Sequence, residues 1–148
     1  MYFPTDVTVP LGRVVSIYLD ESYSTAITAD GVVKCWGKCL NNLNDIPGNF
    51  VAVAPANDHV CALNSSGGVK CWGSNLYGNL GGGTTGGYPN EIVDVLGLTS
   101  GAAAITSGWW HTCALTSTGQ VKCWGKNGDG VLGDGSTTDR NSPVDVRW

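Results

Sequence analysis

The stretch His111-Thr112-Cys113-Ala114-Leu115, followed by Gly119-Gln120-Val121-Lys122-Cys123-Trp124-Gly125, decides the fold. The chain writes it a second time, as His59-Val60-Cys61-Ala62-Leu63 and Gly67-Gly68-Val69-Lys70-Cys71-Trp72-Gly73. A third, eroded copy runs Tyr23-Ser24-Thr25-Ala26-Ile27, then Gly31-Val32-Val33-Lys34-Cys35-Trp36-Gly37. One supersecondary unit repeated at intervals of tens of residues marks a propeller, solenoid or array, because each unit buries its apolar face on the next. Function therefore lies on a repeated scaffold.

The Cys-Trp-Gly ends stand 36 and then 52 residues apart, so the first unit lacks a connecting loop that the others keep. In the third unit, Ala102 to Ile105, Thr112 to Thr116 and Gln120 to Trp124 read as three strands, with a turn at Ser117-Thr118-Gly119. A Gly-rich loop, Gly128 to Thr138, leads to an outer strand at Pro143-Val144-Asp145-Val146. The second unit repeats the order with Phe50 to Val53, Val60 to Asn64, Val69 to Trp72, a loop at Gly78 to Gly87, and Glu91 to Val95. Four short strands in up-and-down order are the pattern of a propeller blade. The expected fold is all-β: three four-stranded blades, at about 11–48, 49–98 and 99–148, forming one repeat domain. Residues 4–10, with Val7-Thr8-Val9, read as a spare outer strand. Propellers close with about four to eight blades, so three are expected to complete a ring by oligomerisation, as a head-to-tail homodimer of six blades, the alternatives being a monomeric open arc or a higher ring.

Composition narrows the function classes. Among 148 residues only 14% are charged and the net charge is −4, which gives no electrostatic case for a nucleic acid partner. No apolar run approaches the roughly 20 residues of a membrane span. Met1 to Asp6 lacks the basic start and apolar stretch of a secretion signal, so the chain reads as soluble, with any signal removed or never present. The 22 glycines and 6 tryptophans suit tight turns between strands that pack large aromatic anchors.

The combination His-x-x-Ala-Leu, a Gly turn, Val-Lys-x-Trp-Gly and Asn-x-x-Gly-x-Leu-Gly-x-Gly resembles the repeat of the regulator of chromosome condensation family. It stands here as Trp124-Gly125-Lys126-Asn127-Gly128-Asp129-Gly130-Val131-Leu132-Gly133-Asp134-Gly135 and as Trp72-Gly73-Ser74-Asn75-Leu76-Tyr77-Gly78-Asn79-Leu80-Gly81-Gly82-Gly83. In the first unit Tyr23 and Thr25 take the His and Cys positions, and Lys38 to Asn42 replace the Gly-rich loop. The resemblance implies a seven-bladed propeller used in protein–protein recognition, with nucleotide exchange on a small GTPase as the best-known role. The exchange role does not carry over to so few repeats. The paired cysteines resemble the bacterial and extracellular branch of the family.

Cys61 and Cys71, like Cys113 and Cys123, lie ten apart about a turn, so folding each hairpin sets them opposite one another. The closer antiparallel spacing, about 4.5 Å between Cα atoms, permits a disulfide, and the alternative is a pair of reduced thiols packed as small hydrophobes. Cys35 faces Thr25, leaving Cys39 as its nearest substitute partner. Such pairs point to an extracellular or periplasmic setting. His-x-Cys-x9-Cys also suits zinc chemistry, but neither unit offers a fourth ligand, so no metal and no cofactor is expected. The Asp- and Asn-bearing loops lack the closing Glu of a calcium loop, and turn chemistry accounts for them.

No nucleophile with its base can be named, so no catalytic residue and no enzyme activity are expected. Trp36, Trp72 and Trp124 recur at one position and are expected to wedge between blades as core. Trp109 and Trp110 break the repeat at a connecting loop and, with Tyr77, are candidate binding residues, a packing role being the alternative. The expected function is a non-enzymatic scaffold for protein interaction or self-assembly. The rival readings are a carbohydrate-binding or hydrolytic propeller using exposed Trp and Asn, and a propeller fragment without independent function.

Overall fold

The computed structural model describes residues 12–148. The expected spare strand at residues 4–10 lies outside the described residues. Among the described residues, twelve strands form three four-stranded antiparallel sheets. The first sheet is β1 (Val14–Leu19), β2 (Tyr23–Thr28), β3 (Val33–Gly37) and β4 (Asp45–Ile46). The second is β5 (Phe50–Pro55), β6 (His59–Asn64), β7 (Val69–Gly73) and β8 (Val93–Asp94). The third is β9 (Ala102–Ser107), β10 (His111–Thr116), β11 (Val121–Gly125) and β12 (Arg140–Asp145). In each sheet the strands pair in chain order, the up-and-down arrangement of a propeller blade.

The central hairpins share one register. Cys61 stands opposite Cys71, Cys113 opposite Cys123 and Thr25 opposite Cys35, with the wedge tryptophans Trp72, Trp124 and Trp36 opposite Val60, Thr112 and Ser24. The outer strand is the least regular. Sequence patterning suggests Glu91 to Val95, and the strand that forms is Val93–Asp94, paired with Cys71 and Lys70, after which the Val95 N–H donates to the Val69 carbonyl at 3.0 Å.

Two apolar cores lie between the sheets. The first joins Tyr23, Ile27, Val33 and Ile46 of the first sheet to Phe50, Val53, Val60, Ala62 and Trp72 of the second. The second core joins Cys61, Leu63, Val69, Cys71, Leu80, Val95 and Leu98 to Ala102, Ala114 and Trp124 of the third. Each tryptophan thus seats on the blade before its own. Trp124 is fully buried, and its indole N–H donates to the Asn79 carbonyl at 2.9 Å. Gly81 makes room for it: a Cβ there would stand 2.9 Å from the indole nitrogen, and its φ of +68° is a conformation that glycine adopts at least cost.

Trp36 corrects the expectation of three equivalent wedges. It is only half-buried, because among the described residues no blade stands on the side that its counterparts pack against. Exposure at the two ends follows the same logic. Ile17 and Leu19 of β1 are 65% and 70% exposed, and Leu115 of β10 is 42% exposed where its counterpart Leu63 is 5% exposed. Trp124→Ala is expected to cost about 3–5 kcal/mol as a large-to-small core change. Trp36→Ala is expected to cost on the order of 1 kcal/mol. Urea unfolding of both variants checks the difference, and equal costs would contradict the assignment of wedges.

Candidate functional site

Polar groups at the head of the second strand tie the first blade to the second and the second to the third. The Tyr23 hydroxyl donates to the Ala56 carbonyl at 2.7 Å, inside the first core, and burial pushes its pKa above the ordinary phenol range. His59 occupies the same position in the second blade, and its Nε2 lies 2.8 Å from the Thr112 hydroxyl of the third. Both side chains are fully buried. Burial, and secondarily the neighbouring His111, pull the pKa of His59 down to about 3. His111, the third of the series, is half-buried, and burial lowers its pKa as well. His59 is therefore an element of the blade junction, and His111 stands at the corresponding position of the third blade.

The connecting turn before β10 carries the candidate binding residues. The Trp110 carbonyl accepts from the Lys126 backbone N–H at 2.9 Å and from Asn79 Nδ2 at 2.9 Å, so two blades hold the turn in place. On that support Trp109 packs edge-on against Trp110 at 5.7 Å between ring centroids, and the Tyr77 ring lies 6.1 Å from that of Trp110. The structure thus brings together Trp109, Trp110 and Tyr77. Trp109 is 68% exposed. Lys126, absent from the sequence reading, completes the group: its ammonium sits 4.2 Å from the Trp110 ring centroid and 4.9 Å from that of Tyr77. Such cation–π contacts contribute about 0.5–1 kcal/mol each at exposed sites. The available signal was that Lys126 follows Trp-Gly, as Lys38 does, where the second copy has Ser74. Beside the group opens a cavity of about 180 Å³ lined by Trp109, Trp110, His111, Lys126, Asp129 and Val131.

The Gly-rich loops are closed by their own side chains. Asn127 Oδ1 accepts from the Leu132 N–H at 2.9 Å while its Nδ2 donates to the Thr138 carbonyl at 3.0 Å, and Asn75 acts likewise on Leu80 and Thr84. The Asp134 carboxylate takes the Ser136 hydroxyl at 2.8 Å and Arg140 Nε at 2.7 Å. The Ser136 hydrogen bond, helped by Arg140, holds its pKa down to about 2. The Asn127 and Asp134 oxygens are thus engaged within the loop.

The cysteine sulfurs meet in pairs. Cys61–Cys71 and Cys113–Cys123 lie at S–S distances of 2.10 and 2.11 Å across the hairpins, with Cα atoms 4.1 Å apart. Cys35–Cys39 lies at 2.18 Å, with Cα atoms 5.9 Å apart, just before the 3-10 turn Leu40–Asn42. Asn41 of that turn holds φ at 55° and donates to the Pro89 carbonyl at 2.8 Å, binding the shortened loop of the first blade to the second. A further repeated device is Lys34–Asp45, Lys70–Asp94 and Lys122–Asp145, one ion pair per blade between the third and outer strands, at 2.5–2.6 Å. Each is solvent-facing and contributes about 0–1 kcal/mol.

A wedge tryptophan seated on the preceding blade and loops closed by Asn-x-x-Gly-x-Leu-Gly define a β-propeller repeat protein. The regulator of chromosome condensation (RCC1) repeat model matches residues 57–79 and 102–131. The second and third repeats are thus of the regulator of chromosome condensation type. The human probable E3 ubiquitin-protein ligase HERC4 is 32% identical over 145 residues, which is 85% of this chain and 14% of that protein. The ultraviolet-B receptor UVR8 of Arabidopsis thaliana is 50% identical over 44 residues, or 30% of this chain and 10% of that one. Human WBSCR16 superposes with a TM-score of 0.77 and 25% identity, covering 91% of this chain and 40% of its own. Prp20p of Saccharomyces cerevisiae, described with its binding to Gsp1p and histones, shares the fold at a TM-score of 0.75 and 16% identity over 92% of this chain and 39% of its own. The chain therefore spans a minor part of each of these relatives.

Two outcomes follow. A buried neutral histidine contributes stability that is complete above its unfolded pKa of about 6.5 and is lost as pH falls from there toward 3. The urea midpoint is expected to fall between pH 6.5 and 5, before most carboxylates titrate, and to fall less steeply in His59→Gln; an unchanged slope would contradict it. Non-reducing peptide mapping is expected to recover Cys35–Cys39, Cys61–Cys71 and Cys113–Cys123, and each hairpin bond to contribute about 3 kcal/mol.

Proposed function

We propose that this chain is a non-catalytic protein-binding scaffold that offers Trp109, Trp110 and Tyr77 to a protein partner. The observation that carries the reading is the aromatic group itself, an exposed indole on a turn fixed from two blades, with a lysine beside it. Rigid aromatic side chains lose little entropy on contact and dominate interface energetics, and Lys126 and Asp129 supply a polar rim. The absence of a catalytic role is supported by where the reactive groups are used: His59 in a junction, Asp134 in its loop, and Lys34, Lys70 and Lys122 in ion pairs. Prp20p, which shares the fold, is described as binding proteins.

Two further points belong to the same reading. Three cysteine pairs at bonding distance suit an oxidising compartment, outside the cell or in the periplasm. The exposed apolar residues at both ends suit closure of the arc by a second copy placed head to tail, giving a homodimeric ring of six blades.

Selection of a random peptide library against the chain is expected to yield binders whose affinity falls more than about tenfold in Trp109→Ala, a hot-spot loss. A glycan array is expected to stay blank. Sugars bound through Trp109, with no peptide binder depending on it, would overturn the proposal.

A further inference from the structure

We propose that blades of this chain recognise one another through a matched pair of side chains at each junction, and that the free face of the third blade is matched to the first blade of a second copy. The proposal rests on the ring closure just described and names its contact residues. The pair consists of the residue heading the second strand of one blade and the residue opposite the wedge tryptophan in the next. The heading residues are Tyr23, His59 and His111, each opposite the glycine that ends the third strand. The residues opposite the wedge are Ser24, Val60 and Thr112.

At the first junction Tyr23 meets an apolar surface. Its hydroxyl passes to the Ala56 carbonyl, and Val60, 1% exposed, lies in the same core. At the second junction His59 meets a hydroxyl, that of Thr112 at 2.8 Å. Tyrosine is thus matched with valine and histidine with a hydroxyl residue. The reverse match would bury an imidazole nitrogen against a methyl group, leaving a polar group unsatisfied. The second strand of the third blade is headed by His111, and the first blade carries Ser24, a hydroxyl residue, at the position that a following blade would present.

The remaining contacts agree in kind. Trp124 donates to the carbonyl of Asn79, and the corresponding residue of the third blade is Val131, which is 49% exposed beside His111. The half-buried Trp36 is the indole that a first blade would place there. Ile17 of the first blade is 65% exposed, whereas Val53, at the same register position in the second, is 4% exposed within the first core. Leu115 of the third blade is the apolar surface that Ile17 and Trp36 would cover, as Leu63 is covered within the chain.

Sedimentation equilibrium of the full chain, with a second arm inside one chain, tests this. The wild-type chain is expected to be a dimer, Ser24→Val to weaken association at least about tenfold, and Ser24→Thr to keep it. The double variant Ser24→Val/His111→Tyr, which copies the Tyr23 and Val60 pair, is expected to regain dimerisation. In the second arm, Thr112→Val is expected to lower the urea midpoint and Thr112→Ser to keep most of it. A monomeric wild type would overturn the second-copy assignment and the closure it rests on. A Thr112→Val variant as stable as wild type would overturn the matching rule itself, and Ser24→Val dimerising like wild type would overturn the named contact.

Discussion

The structure depends on the seating of an indole from one blade against the face of the blade before it. A four-stranded sheet of this size buries too little apolar surface to stand alone, and its two faces become interior only when neighbours stack on them. Trp72 and Trp124 are the largest side chains of the two cores, and Gly81 yields the space that Trp124 occupies. The polar half of the same contact, Tyr23 to the Ala56 carbonyl and His59 to Thr112, fixes how the blades are aligned. Apolar burial supplies the energy, and the hydrogen bonds supply the register.

Local devices then allow each blade to hold its shape while its faces are used elsewhere. The cysteine pairs cross the two middle strands where hairpin register already brings them together, so they add loop constraint without changing the sheet. Asn75 and Asn127 close the long loops that carry Leu80 and Leu132 into the interior. The first blade, without such a loop, substitutes the Cys35–Cys39 pair and the Asn41 contact to Pro89. The turn bearing Trp109 is anchored from two blades, which is how an exposed aromatic residue is held rigid on a loop.

Hairpin register was legible in the sequence because a glycine turn and ten-residue cysteine spacing define it locally. That Trp109, Trp110 and Tyr77 share one surface was legible only in part: the first two break the repeat, but Tyr77 lies a blade away and reaches them through the blade junction. Lys126 was not legible, because its place over two rings depends on that same junction. The half-burial of Trp36 was hidden for a related reason, since a repeat pattern states that a position faces a neighbour without stating which copy has one. The ion pairs from Lys34, Lys70 and Lys122 depend on the pairing of the outer strand, whose boundaries are the least regular feature of each blade.

The central claim is that the tryptophan junction is released only when the fold is lost. Hydrogen exchange at the Trp124 indole N–H, compared with backbone amides of β6 and β10, tests this most directly. The account predicts that the indole exchanges at the rate set by global unfolding, with the same denaturant dependence as those amides. Exchange as fast as that of the exposed Trp109 indole, while the sheets remain protected, would contradict it.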